Sequence, residues 1–250
     1  MGGMSREPQI LACSGLLYPP EDYPQEWAGA QAWQAMRLSG ARSPRFCLIA
    51  TATGDSKEYI DAVLPIAKAR GAAVASHLTL FPQPNVPDVR AHLLAQDVIF
   101  VSGGSAVNLL AVWRAHRLDE IIRECWEAGV VLAGQSAGSL CWHLGGVTDS
   151  FGDSLDPITN GLGFLPYSNG VHDDLADQPR RERYRSLVAS GELPAGYATE
   201  DGTALHYAGT ELREALAIWP GRRAWHVAPD GAGGYAETPI EARPWTPPRE

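Results

Sequence analysis

The chain has 250 residues, of which 45% are hydrophobic and 20% charged, and its formal net charge at pH 7 is -9. This length and composition suit one large globular domain, so we expect a single domain over residues 1–250, with 1–8 and about 229–250 at its periphery. The acidic balance argues against nucleic acid or an anionic membrane as a partner.

Short apolar runs alternate with helical stretches through the first 140 or so residues. Unbroken apolar strands of this kind are typical of a parallel sheet with helices on both faces. Asp55 and Glu58 resemble a capping box at the start of the second helix. The predicted strands are 10–13, 46–52, 73–80, 98–101 and 130–133, and the predicted helices are 27–37, 55–70, one through 93–95, 106–115, 119–127 and 137–142.

The pattern changes after residue 142. Residues 145–165 read as loop-rich, and 179–188 as a charged helix. Four short apolar runs then predict an antiparallel edge region. The last stretch is rich in Gly and Pro, which predicts a loosely held tail. The four runs are 197–199, 204–207, 215–219 and 224–227.

Two glycine-containing loops follow predicted strands. Gly103 and Gly104 come directly after one strand, and Gly134-Gln135-Ser136-Ala137-Gly138 comes after the next. Functional loops of parallel sheets lie at the carboxyl ends of strands, so we expect these two loops to be neighbours.

The Gly-x-Ser-x-Gly turn between a strand and a helix predicts that Ser136 is a nucleophile. Glycines allow the sharp turn, and the amides that open the next helix offer N–H donors where an oxyanion would form. The alternative interpretation is a tight turn whose serine simply caps the helix.

A serine nucleophile needs a base and a third group that orients the base. Of seven histidines, His172 stands out because it opens an acidic loop at a strand's end. Glu200 and Asp201 lie in a turn between two apolar strands. The alternatives are a surface histidine in a polar loop and solvated turn carboxylates.

Together these residues resemble the S51 serine peptidases, a family that includes dipeptidase E (aspartyl dipeptidase) and cyanophycinase. The resemblance runs from about residue 46 to 207. It implies a three-layer α/β/α sandwich related to class I glutamine amidotransferases (flavodoxin-like), with a mostly parallel sheet and an antiparallel C-terminal edge region. It also implies a peptidase without metal or cofactor.

The resemblance implies a role for each matching position. Ser136 would be the nucleophile, His172 the general base and Asp201 the acid, with Glu200 as the alternative acid. The backbone N–H groups of Gly104 and Ala137 would form the oxyanion hole.

The substrate implied by the resemblance is a small peptide. A dipeptide with N-terminal Asp would be read by Arg180, with Gly103 and Gln135 also at the site. A guanidinium matches a carboxylate with two parallel hydrogen bonds, whereas a solvated basic helix face is the alternative interpretation of Arg180.

Three other functions stay open at this point. A cyanophycinase-like enzyme would cleave β-aspartyl peptides. An α/β-hydrolase esterase would use Ser136, Asp201 and His226, which follow that fold's order of serine, acid and histidine. A binding domain of the same fold would have no catalysis.

Location is predicted from the cysteines and the N-terminus. The four cysteines are scattered without a C-x-x-C pair, which indicates buried thiols in a reducing compartment. No secretory signal or apolar run of the roughly 20 residues that cross a bilayer is evident. We therefore expect a cytoplasmic protein, and leave open whether it is a homo-oligomer.

Overall fold

The fold is organised around an eight-stranded mixed sheet in a computed structural model that describes residues 7–15 and 29–245. Five neighbouring strands of this sheet run parallel, as the apolar runs predict. In spatial order the strands are β14 (Ala242–Pro244), β11 (Glu211–Ala217), β10 (Thr203–Ala208), β1 (Gln9–Cys13), β5 (Val131–Gln135), β4 (Val98–Val101), β2 (Arg45–Ile49) and β3 (Val74–Leu78).

Helices cover both faces of this sheet, which gives the predicted α/β/α layers. Side chains of a strand alternate between faces. On β1, Ile10 and Ala12 enter the core under α4 and α5, whereas Leu11 and Cys13 enter the core under α1 and α2. The helices are α1 (Ala30–Ser39), α2 (Lys57–Ala69), α3 (Val89–Leu94), α4 (Ala106–Ala115), α5 (Leu118–Glu127), α6 (Ala137–Leu140) and α7 (Arg180–Ala189).

A second sheet of six strands was not predicted. Its inner side joins the core under α4 and α5, and its other side packs against α7. In spatial order its strands are β13 (Tyr235–Ile240), β12 (Ala224–Pro229), β9 (Gly196–Thr199), β8 (Leu165–Gly170), β6 (His143–Thr148) and β7 (Asp156–Ile158).

The segment predicted as loop-rich, 145–165, contains strands besides its loops at 149–155 and 159–164, since Gly145 and Gly146 belong to β6 and Asp156–Ile158 forms β7. A Cβ on Gly145 would lie 2.1 Å from the Ile158 carbonyl oxygen, and one on Gly146 would lie 2.2 Å from that of Asn169. These glycines therefore permit close strand contacts rather than loops. The preceding helix ends at Leu140, earlier than predicted, and β6 begins at His143.

The predicted capping box of Asp55 and Glu58 is also wrong. Ser56 caps α2 by accepting a hydrogen bond from the Tyr59 backbone N–H. Asp55 has a φ of 58° and instead accepts from the backbone N–H of Leu80, at 2.5 Å, and of Phe81. Its carboxylate thus ties the start of α2 to the chain that follows β3.

The antiparallel edge region is divided between the two sheets. β10 and β11 extend the large sheet in antiparallel pairing, whereas β9 and β12 belong to the small sheet. Up to residue 245 the tail is not loosely held, since β13 pairs with β12 and β14 with β11 at the outer edges of the two sheets. These strands were not predicted because the segment is rich in Pro and Gly, which are typical of loops. Edge strands nevertheless tolerate proline.

The first predicted helix begins later than expected. Gly29 adopts a φ of 73° and precedes α1, and residues 27 and 28 lie outside the described part of the chain. Within the described ranges no helix has the length and apolarity needed to cross a membrane.

Candidate active site

The turn at Ser136 has the strained geometry expected of an exposed nucleophile. Ser136 has φ 52° and ψ -113°, a region that non-glycine residues rarely occupy. Two glycines allow the chain to pass closely here. A Cβ on Gly134 would lie 2.4 Å from the Gly138 carbonyl oxygen, and one on Gly138 would lie 2.4 Å from that of Val101. The close packing holds the serine at the carboxyl end of β5.

His172 bonds to both residues predicted to act with it. Its Nε2 lies 2.9 Å from the Ser136 Oγ, and its Nδ1 lies 2.5 Å from an Asp201 carboxylate oxygen. An ionised carboxylate can only accept, so the proton sits on Nδ1 and leaves the Nε2 lone pair for the serine hydroxyl. This is the tautomer that a general base needs.

The Glu200 side chain is directed to Arg223. Its carboxylate accepts a hydrogen bond from the Arg223 backbone N–H at 2.9 Å and lies 3.3 Å from the Arg223 guanidinium. Of the two acids left open by the sequence, Asp201 is thus the one that contacts His172. Glu200 instead holds the turn between β11 and β12, through Arg223.

The loop that follows β4 lies against the serine, as adjacent strands predict. A Cβ on Gly103 would be 3.3 Å from the Ser136 Cβ. Gly104 has a φ of 126°, and a Cβ there would lie 2.3 Å from the Ala52 carbonyl oxygen, so this position requires glycine. Ala137 is the first residue of α6, where backbone N–H groups have no partner within the helix.

The remaining predicted site residues have distinct surroundings. Gln135 is buried, donates weakly to the Tyr59 hydroxyl at 3.3 Å, and its Oε1 accepts no bond from the described residues. Arg180 is buried and donates to Gln178 and Asp149, each at 2.6 Å. His226 of the esterase alternative lies on β12, its ring 5.3 Å from that of Tyr197, while His172 takes both predicted contacts.

Comparison with known proteins identifies the family. The model of peptidase family S51 matches residues 27–215. The chain belongs to peptidase family S51. Over 194 residues it is 40% identical to the uncharacterized peptidase YgaJ of Bacillus subtilis (strain 168), which covers 77% of this chain and 81% of that protein. It is 32% identical over 124 residues to Peptidase E of Shewanella denitrificans, covering 47% of this chain and 53% of the relative.

Solved structures share the fold of this S51 peptidase. A crystal structure of a peptidase from an acI-B1 Actinobacterium superposes with a TM-score of 0.70 at 16% identity, covering 95% of this chain and 96% of that one. A putative Peptidase E from Listeria monocytogenes EGD-e gives a TM-score of 0.61 at 17% identity, covering 83% of this chain and 97% of that one. At such identities the likeness concerns the fold alone.

Sequence reasoning missed Ser14, which holds the backbone of His172. The Ser14 hydroxyl accepts from the His172 backbone N–H at 2.8 Å and donates to the Thr199 carbonyl at 2.8 Å. It thereby supports His172 in its left-handed conformation, φ 58°. The position of Ser14 could have indicated this contact, since Ser14 directly follows β1, whose carboxyl end faces the site.

A second histidine, His143, is fully buried and bonds to α6, the helix that follows Ser136. It opens β6 rather than ending a helix, and its Nδ1 donates to the Ser139 carbonyl at 2.9 Å. Its Nε2 has no partner among the described residues. Burial lowers the pKa of His143 to about 4, although the bond to Ser139 opposes the shift.

This depressed pKa predicts a loss of stability in acid. A folded-state pKa below the unfolded value near 6.5 means that the unfolded chain binds the proton more readily. The contribution is complete above pH 6.5 and is lost as the pH falls towards 4. Between pH 7 and pH 4.5 we expect His143 to cost roughly 2 kcal/mol of unfolding free energy. Urea titrations of wild type and His143→Gln measure it, and equal pH dependence in both would contradict the prediction.

Proposed function

We propose that this S51 peptidase is a serine-type enzyme that hydrolyses short peptides, with dipeptides bearing N-terminal Asp as its preferred substrates. The observation that carries the proposal is the line of hydrogen bonds from Ser136 through His172 to Asp201. A nucleophile, a base in the required tautomer and an orienting acid are the parts that acyl transfer requires.

In this mechanism His172 takes the Ser136 proton as the Oγ attacks the scissile carbonyl carbon. The resulting oxyanion accepts hydrogen bonds from the backbone N–H groups of Gly104 and Ala137. His172 then gives its proton to the leaving amine, and the C–N bond breaks. Water, deprotonated by His172, attacks the acyl-enzyme and restores Ser136. Asp201 stabilises the imidazolium during both steps.

Arg180 is the proposed recognition residue for the acidic side chain, and its surroundings sharpen that assignment. Its Nε and Nη2 already bond to Gln178 and Asp149. Burial raises the pKa of Asp149, but the charge and hydrogen bond of Arg180 outweigh this and leave it below its ordinary value. Asp149 is therefore ionised, and a substrate carboxylate must share the guanidinium with it or displace it.

Asp149 is 43% exposed, whereas the Arg180 side chain is 7% exposed. Exchange of Asp149 for a substrate carboxylate keeps the buried guanidinium paired and releases Asp149 to the solvent that already reaches it. The segment that carries Asp149 also reaches the oxyanion loop, since Ser150 Oγ accepts from the backbone N–H of Ala106, two residues after Gly104. This supports a place for Arg180 beside the acyl group of the substrate.

The test is hydrolysis of Asp-Leu, Glu-Leu, Ala-Leu and a β-Asp-Arg peptide by wild type and Arg180→Gln. We expect Asp-Leu to be the best wild-type substrate. Because a charged hydrogen bond contributes ~1.5–3 kcal/mol, Arg180→Gln should raise KM for Asp-Leu roughly 10- to 100-fold and leave that for Ala-Leu nearly unchanged.

The matched control is Arg183→Gln, which removes the same charge one turn along α7. Arg183 donates to the Leu155 backbone carbonyl instead of Asp149, so KM for Asp-Leu should not change. Equal turnover of Asp-Leu and Ala-Leu would refute the acidic preference. Turnover of only the β-Asp-Arg peptide would assign a β-aspartyl peptidase, and turnover of simple esters alone would refute peptide hydrolysis.

A further inference from the structure

An ionic cluster of four residues lies next to His172. Asp173, the following residue, is buried, with its side chain 1% exposed. It accepts from Arg181 and from Arg185, each at 2.6 Å. Both arginines also donate to Glu237 on β13, at 2.8 Å and 2.6 Å respectively. Two carboxylates thus alternate with two guanidinium groups, and the formal charge of the cluster is zero.

The centre of the cluster, Asp173 and Arg185, is buried, whereas Arg181 and Glu237 are 36% and 30% exposed. The Arg185 side chain is 2% exposed. Burial lowers its pKa, but hydrogen bonds and charges from Asp173 and Glu237 more than compensate and hold it above the ordinary value. Loss of the Glu237 charge would remove one acceptor from each arginine and leave two guanidinium groups on the single carboxylate of Asp173, which favours a rearrangement around it. The Trp225 ring, 4.6 Å from the Arg181 guanidinium carbon, packs against the same group.

The chain at His172 and Asp173 is held from two sides. On one side the His172 N–H binds Ser14, and the Asp173 N–H donates to the Thr199 carbonyl at 3.0 Å. On the other side the Asp173 carboxylate is held by Arg181 and Arg185. A shift of Asp173 would be passed directly to a histidine in a strained conformation, φ 58°.

Glu237 lies outside the part of the chain that matches the S51 family, which ends at residue 215. It sits on β13, paired in register with Val227 of β12 at the edge of the small sheet. The strand brings this carboxylate to α7, where Arg181 and Arg185 are one helical turn apart.

We propose that Glu237 is a positioning residue for His172, acting through Arg181, Arg185 and Asp173. The proposal rests on the proposed role of His172 as the general base. The C-terminal strand β13 then contributes to the site, because it supplies the carboxylate that holds both arginines in place.

Glu237→Gln tests the proposal because it keeps the shape and removes the charge. We expect kcat for Asp-Leu to fall about tenfold, less than the roughly hundredfold effect of a 1 Å misplacement, with KM within about twofold of wild type. Glu237→Asp keeps the charge and should recover most of the lost rate. The matched control is Glu214→Gln. Glu214 is 29% exposed and Glu237 is 30% exposed, and both bind an arginine. Because the arginine bound by Glu214 is Arg243, which is outside the ionic cluster, Glu214→Gln should leave kcat unchanged.

A pH profile separates positioning from a loss of stability. The charged groups linked to His172 are Asp201, which it contacts, and the ionic cluster that begins at the next residue. Asp174 accepts from the Asp201 backbone N–H and from Arg222. Without Glu237 the cluster gains a positive charge, which disfavours the imidazolium. The acid limb of the kcat/KM profile should move to lower pH in Glu237→Gln and stay in place in Glu214→Gln.

A readout that needs no turnover is the low-field proton resonance of the bond between His172 and Asp201, assigned by its absence in Asp201→Asn. We expect Glu237→Gln to shift or broaden this resonance, and Glu214→Gln to leave it intact. An unchanged resonance with kcat within about twofold of wild type would overturn the positioning role. If wild type cleaves no peptide while the resonance still responds to Glu237→Gln, the proposed function fails and the positioning role stands.

Discussion

Replacing Ser136 by alanine is expected to lower kcat for Asp-Leu hydrolysis by at least about 10⁴-fold, with little change in folding. The Oγ is the only atom removed, and it is the atom 2.9 Å from His172 Nε2. Without it no acyl-enzyme forms, and the remaining groups can only hold a peptide near water. Steady-state hydrolysis followed by release of free leucine measures the loss.

The control for this result is Ser168→Ala, which removes a buried hydroxyl from β8. Ser168 Oγ donates to the Pro194 carbonyl at 2.5 Å and lies 2.8 Å from the Tyr184 hydroxyl, so the change weakens the small sheet and leaves the chemistry alone. We expect a lower thermal midpoint with kcat preserved. Turnover by Ser136→Ala at more than a few per cent of wild type would exclude the serine as nucleophile.

The serine motif could be predicted from sequence because the proposed chemistry and the sharp turn both require a serine flanked by glycines. The turn needs glycines at 134 and 138, where any Cβ would meet backbone oxygen atoms. Strands β4 and β5 are short apolar runs whose order in a parallel sheet follows from their helical connections, so the loop at Gly103 is a foreseeable neighbour. The family resemblance then pointed to His172.

The residues alone could not decide between Glu200 and Asp201, although the family resemblance favoured Asp201. Two adjacent carboxylates in a turn differ only in direction, and that direction depends on partners remote in the chain. Asp174 accepts from the Asp201 backbone N–H at 2.8 Å, while Arg223 captures Glu200. Neither contact leaves a local pattern in the sequence.

The second sheet and the ionic cluster escaped prediction for a related reason. Gly145 and Gly146 read as loop residues, although they mark close contacts between strands. Glu237 lies 52 residues from its partner Arg185, on a polar edge strand without an apolar alternation. Contacts of this kind arise from the assembled fold, and charge pairing over such distances has no periodicity that could reveal it.

The acid of the site is tested by comparing two isosteric changes, Asp201→Asn and Glu200→Gln. The NH₂ group of the side-chain amide introduced by Asp201→Asn can donate to His172 Nδ1, which must then accept, so the imidazole proton moves to Nε2. With the proton on Nε2 it cannot accept the Ser136 hydroxyl proton, and kcat is expected to fall ~10⁴-fold. Thermal unfolding should change little, because Asp201 is partly exposed.

Glu200→Gln should behave in the opposite way. Its Oε1 can still accept from the Arg223 backbone N–H, and only the weaker ionic contact at 3.3 Å is lost, so kcat is expected to stay within about threefold of wild type. The two variants therefore differ by more than three orders of magnitude in kcat if Asp201 orients the base. A comparable loss in both would mean that the whole turn, rather than one carboxylate, supports His172. A severe loss in Glu200→Gln alone would move the acid of the triad to Glu200 and require the turn to rearrange when substrate binds.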